Sequence, residues 1–150
     1  MSSFKIRKAK VEDIPALKNL MEQYIVDFYK QPKPNEDSLL QLIEELIHDQ
    51  RMGLQFVVEE NDELLGFSTL YFTFSTLSVK RQACLNDLFV VPKARGKKFG
   101  EQLFQTNLAY IREHDFSSMI WETAKDNLVA QSLYNKMGGQ LSEWLVYEIR

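Results

Sequence analysis

Cysteine, proline and glycine are scarce in this 150-residue chain: one, four and six residues respectively. Cys84 has no second cysteine to pair with, which excludes an intrachain disulfide and with it a disulfide-stapled secreted scaffold. Nothing resembles a zinc-ligand cluster, so no metal is expected. No run of ~18 apolar residues occurs, so no membrane-spanning helix and no membrane partner are expected. Met1 to Lys10 lacks the apolar stretch of a signal peptide, and the reducing cytoplasm is the expected compartment. Positive charge is also in short supply. With 18 Lys and Arg against 21 Asp and Glu, the net charge of −3 argues against nucleic acid, whose binding rests largely on a basic face.

What is present is an ordinary globular composition, 45% hydrophobic and 26% charged, over a length that suits one domain spanning residues 1–150. Charge is unevenly placed. Residues 11–64 carry thirteen acids and four bases, whereas residues 93–98 carry four bases and no acid. Either segment reads as a solvated surface, or as an acidic region beside a cationic substrate and a basic loop under phosphates.

Periodicity divides the chain into elements. Residues 4–8 read as a first strand. Ile14, Leu17, Leu20, Met21, Tyr24 and Phe28 recur at helical spacing, with Asp13 as a cap and Pro15 in the first turn. Leu39, Ile43, Leu46 and Ile47 mark a second helix. Residues 56–60 and 64–74 are strand-like and meet at Asn61-Asp62, a hairpin signal. A strand over 83–91 halts at Pro92. A third helix runs through Phe99, Leu103, Phe104, Leu108 and Ile111, and a strand follows over 118–123. A fourth helix through Ala130, Leu133, Tyr134 and Met137 ends at Gly138-Gly139, and residues 141–149 read as a last strand. The order βααβββαβαβ, with about four helices and no repeats, implies one mixed α/β (α+β) layered domain.

The chemistry concentrates in residues 85–100, a strand, a tight basic loop and a helix start. Free N–H groups at a helix N-terminus, backed by the helix dipole, suit phosphate oxygens. Gly96 and Gly100 permit close backbone approach, and Arg95, Lys97 and Lys98 add charge. Neither a P-loop Gly-Lys-Ser/Thr nor a Gly-x-Gly-x-x-Gly fingerprint is present. The run Arg95-Gly96-Lys97-Lys98-Phe99-Gly100, after a strand ending Val90-Val91-Pro92, resembles motif A of the GNAT acetyltransferase family, with Lys98 where that pattern has a glycine. Residues 121–138, with Asn127-Leu128-Val129-Ala130 and then Leu133-Tyr134 before Gly138, are similar to the family's motif B.

That resemblance implies a GNAT-type domain with a mostly antiparallel central sheet, whose fourth and fifth strands splay apart to admit the pantetheine arm of acetyl-CoA. It implies an N-acetyltransferase that moves acetyl to the amine of a small, cationic acceptor by direct transfer. A protein amine as acceptor and a non-catalytic CoA-binding module are the alternatives. Leu88, Phe89 and Val90 are implied as backbone contacts to the cofactor, along with Arg95, Gly96, Lys97, Lys98, Phe99 and Gly100. Asn127 is a cofactor contact by resemblance and a helix N-cap by chemistry; the two are compatible. Tyr134 falls where similar enzymes place the phenol that protonates the departing thiolate. Small-amine enzymes of the spermidine/spermine type carry Glu-Asp where this chain has Asn86-Asp87. Asp87, in an apolar strand, is therefore the candidate base or amine anchor, with Glu122 in reserve. Tyr24 and Asp27, on the first helix, are candidate acceptor contacts together with Asn86. Dimers are frequent among such proteins, so a homodimer is compatible with the resemblance; no interface is legible in the sequence.

Overall fold

The computed structural model describes residues 3–150. Strand β1 (Phe4–Lys8) precedes helix α1 (Ile14–Glu22), which continues without a break into a π-helical segment, Gln23–Phe28. Helix α2 (Glu36–His48) leads into β2 (Gly53–Glu60), β3 (Glu63–Ser75) and β4 (Lys80–Val90). After the basic loop come α3 (Phe99–Glu113), β5 (Met119–Ile120) and α4 (Leu128–Lys136).

Local chemistry sets several boundaries. Pro15 sits in the first turn of α1, where its missing N–H costs nothing. The expected Asp13 cap is not made: its carboxylate receives Arg7 at 2.6 and 2.9 Å and the Lys10 N–H at 2.8 Å instead. Arg7 holds the Asp13 carboxyl below the usual carboxylate range. At α2, Asn35 accepts from the Ser38 N–H at 2.9 Å, a regular N-cap. Asn61 and Asp62 both take positive φ, 52° and 62°, the backbone that a two-residue hairpin of matching twist requires.

The strands form one sheet in the order β1-β2-β3-β4-β5, antiparallel throughout except for the parallel β4–β5 pair. In β3, residues 65–70 are buried on both faces, because helices cover the sheet on either side. On one side Thr69 meets Gln55, which in turn reaches Met21 of α1; on the other Ser68 accepts from Asn107 of α3 at 2.8 Å. Leu17, Ile43, Phe67, Leu70, Leu103 and Phe104, all at most 2% exposed, fill the two layers between helices and sheet.

β5 pairs with β4 only at Ala83–Met119 and Cys84–Ile120; beyond Leu85 the two strands part, leaving a wedge. The fold is therefore the splayed, mostly antiparallel α+β sheet expected from the sequence. The expected last strand is not formed, however. Residues 141–149 make no ladder, and their apolar side chains stand in solvent. The apolar pattern is strand-like, but a strand needs an edge to pair with, and here it meets none.

Candidate active site

The wedge is where β4 carries an irregularity. Thr69 of β3 stands opposite Asp87, and Leu70 opposite Leu85, so Asn86 is an extra residue without a partner: a β-bulge. Bulges bend a strand and re-aim its side chains. Here Asp87 is turned inward, 9% exposed, while Asn86 stays in solvent and donates to it at 3.1 Å.

Burial pushes the Asp87 carboxyl above its ordinary range, against hydrogen bonding from Thr69, Tyr24 and Asn86 that favours the charged form. The Thr69 hydroxyl accepts from Gln55 Nε2 at 2.9 Å, which leaves its own proton for the carboxylate. Tyr24 is pushed strongly upward by burial and then by the Asp87 charge, and it shares a hydrogen bond with Tyr29. Tyr71 is pushed up to about 12, by burial first and by Asp87 second. A carboxylate, three phenols and a threonine thus form one neighbourhood around the bulge.

The π-helical segment delivers the aromatic part. Its wider turn brings Tyr24 and Phe28 parallel, with centroids 6.2 Å apart, and stands Tyr29 edge-on to both at 5.0 Å. Tyr24 and Phe28 also face the Phe89 ring of β4, at 5.7 and 6.3 Å. π-turns recur at functional sites because they redirect side chains that a regular helix would spread apart. Asp27, on the same segment, is exposed and is not among the groups acting on Asp87. Sequence reasoning does not single out Phe28, Tyr29, Thr69 or Tyr71 as site residues; the one signal for Tyr29 is its place at the end of the first helix.

On the far side of the wedge, Tyr134 of α4 packs against Trp121 at 5.4 Å and Phe104 at 5.9 Å. Burial, and secondarily the nearby Tyr29, raise its hydroxyl above the ordinary phenol range. Glu122 is exposed; its charge and that of Asp87 add to burial in raising the Cys84 thiol. Cys84 is consequently a poor nucleophile.

The basic loop occupies the C-terminal end of β4. Val91 and Ala94 anchor it in the core, and the Phe99 ring packs on Phe4 at 4.9 Å, so Phe99 faces inward and only its backbone addresses the loop. Lys97 is drawn to Glu60 at 3.0 Å. Arg95 donates to the Val90 carbonyl at 3.2 Å and lies over Phe28 at 5.9 Å. Leu88 and Val90 are half-buried on β4. No side chain caps α3, and its first N–H groups open toward the loop. A Cβ built on Gly96 or on Gly100 meets no atom within 4 Å, which leaves open space in front of that backbone. Free amides, open space and an exposed Lys98 fit the diphosphate of a coenzyme. At α4, the Asn127 Oδ1 accepts from the Ala130 N–H at 3.1 Å, so this residue serves as N-cap. Among the described residues no group of His, Cys, Asp and Glu is suited to hold a metal ion, and no helix is long and apolar enough to cross a membrane.

Lys98 caps α3 in the left-handed region, φ 64°. A lysine there pays ~1–2 kcal/mol for its Cβ, against the ~0.5–1 kcal/mol of extra backbone entropy that glycine would lose. Lys98→Gly is therefore expected to raise stability by about 0.5 kcal/mol, read from the urea midpoint. A lower midpoint would show that the lysine side chain contributes more than its backbone strain costs.

Residues 17–139 match the model of the Acetyltransferase (GNAT) family. The chain is 38% identical over 133 residues to the uncharacterized N-acetyltransferase YhfO of Bacillus subtilis (strain 168), covering 89% of this chain and 87% of that protein. Among solved structures, that of a probable acetyltransferase superposes with a TM-score of 0.86 at 30% identity, covering 97% of both chains. An aminoglycoside N-acetyltransferase in complex with CoA gives 0.83 at 17% identity, over 100% of this chain and 96% of the other; at that identity the likeness is one of fold.

Proposed function

This chain belongs to the acetyltransferase (GNAT) family, and from that premise we propose that it transfers acetyl from acetyl-CoA directly to the primary amine of a small cationic acceptor. One observation carries the choice of acceptor: a buried carboxylate, Asp87, at a strand bulge beneath the aromatic rings of Tyr24, Phe28, Tyr29 and Phe89. Aromatic faces and a desolvated carboxylate together attract an ammonium group more strongly than either alone.

In this reading the helix start after Lys98 and the backbone of Gly96 and Gly100 hold the diphosphate, Lys98 adds charge, and Asn127 lies beside the cofactor at α4. The β4 backbone from Leu88 to Val90 lines the pantetheine arm and offers an N–H to the acetyl oxygen. The acceptor arrives as an ammonium and gives up a proton to Asp87, directly or through one water. Its nitrogen then attacks the thioester carbonyl, the carbon–sulfur bond breaks, and the thiolate takes a proton from Tyr134. Acetamide and free CoA thiol are the products. A half-buried Cys84 with a raised pKa is unsuited to an acetyl-enzyme, which favours the direct route.

A panel of amines with a free-thiol readout tests this. Di- and polyamines or amino sugars are expected to release thiol at least tenfold faster than a neutral-tailed monoamine of equal length, with the advantage shrinking at high salt. Equal rates across the panel, or release only with peptide amines, would overturn the acceptor assignment.

A further inference from the structure

We propose that residues 141–149 form a strand on the β5 edge of a second copy of this chain, with the second copy's segment returned in exchange, so that each site is walled by its partner. Alternation along the segment places Leu141, Glu143, Leu145, Tyr147 and Ile149 toward one face and Ser142, Trp144, Val146 and Glu148 toward the other. Apolar residues therefore fall on both faces over 144–147, the mark of a strand covered on both sides. In this structure Leu141, Trp144, Leu145, Val146, Tyr147 and Ile149 are all at least 74% exposed.

A matching open edge lies across the wedge. β5 is hydrogen-bonded along one edge to β4, and the described residues place no strand on its other edge. Around that edge Ile120, Leu128 and Val129 are exposed apolar residues, and no residue of α4 is buried. The chain leaves α4 beside β5: a Cβ on Gly139 would meet the Trp121 ring at 2.8 Å. From Leu141 onward it runs out into solvent instead of turning back.

The areas favour a second copy. Six large side chains exposing roughly 100–150 Å² each per chain bring a reciprocal exchange to well over 1,000 Å² before the covered edges are counted, against a standard interface of about 1,600 Å². A contiguous apolar segment of this size is not left open on a stable monomer. The site is also unfinished without it. Tyr134 stands on a helix held only from one side, by Phe104 and Trp121, and an added strand next to β5 would close the other. This consequence for Tyr134 rests on the proposed acetyl transfer; the exchange itself does not.

The test uses the full chain with a photoreactive benzoylphenylalanine in place of Tyr147. Equal amounts of unlabelled and isotope-labelled chain are unfolded, mixed, refolded and irradiated. A dimer at micromolar concentration by light scattering, with about half of the Tyr147-site crosslinks to peptide 118–123 joining light to heavy chains, is the expected result. Crosslinks confined to light–light and heavy–heavy chains, or a monomer, would overturn the exchange. Val146→Asp, whose site is solvent in a lone chain, is expected to give a folded monomer that still shifts its melting temperature with CoA and turns over at least tenfold more slowly. A Val146→Asp dimer would also count against the proposal. If the unaltered protein released no thiol with any amine while the mixed crosslinks formed, acetyl transfer would fail and the exchange would stand.

Discussion

Asp87→Asn is expected to lose ~100-fold or more in turnover with a cationic amine and, at pH 8, to melt no lower than the unaltered protein. The two effects share one cause. A carboxylate that burial has pushed above its usual pKa is a better base near neutral pH, and its charged form is also costly to the fold. Because the folded pKa lies above the unfolded one, that cost is fully present above the folded value and fades as pH falls through it. The stability advantage of the asparagine should therefore shrink on acidification. The amide oxygen can still accept from Thr69 and Tyr24, which keeps the change from leaving those donors orphaned. The activity profile moves with it: the acid limb of kcat/KM in the unaltered protein should report this carboxyl and vanish in the variant. An Asp87→Asn protein with full activity and an unchanged acid limb would remove Asp87 from proton transfer.

What the sequence reveals of fold and site depends on whether the signal is local. Asn61-Asp62 announces its turn because two short polar residues tolerate positive φ, and the structure has both there. The basic loop and the fourth helix are legible as units for the same reason: glycine, proline and a capping asparagine act within a few residues of themselves. Lys98 shows why a departure from a motif can be harmless to the fold, since a lysine can hold the left-handed backbone at modest cost. The bulge at Asn86 is not legible, because it is a matter of register between β3 and β4, and register depends on residues far apart in the chain. The π-segment is invisible to a search at helical period, since Tyr24 and Phe28 satisfy that period too; only the placement of Tyr29 betrays the wider turn. Asp13 looks like a cap to a local rule, but Arg7, outside that rule's reach, competes for it and wins with two charged hydrogen bonds. Residues 141–149 have the right pattern for a strand and no edge within their own chain, which a pattern alone cannot reveal.

Tyr134→Phe, the counterpart at the other end of the reaction, is expected to lower kcat by about 100-fold while leaving the affinity for CoA within a factor of two. The ring and its contacts with Phe104 and Trp121 survive the change, so α4 keeps its seat and only the hydroxyl is lost. Burial raises that hydroxyl above the ordinary phenol range, so it stays protonated throughout any assay between pH 6 and 10, as a donor to a leaving thiolate must. Its removal should therefore leave the acid limb due to Asp87 in place, the opposite of the result at Asp87. The decisive measurement varies the leaving group. An acetyl thioester whose thiol is several units more acidic than that of CoA departs without help, and with such a donor the defect of Tyr134→Phe should contract toward unity. A defect equally large for both donors would mean that Tyr134 only shapes the wedge, and that the departing sulfur finds its proton elsewhere.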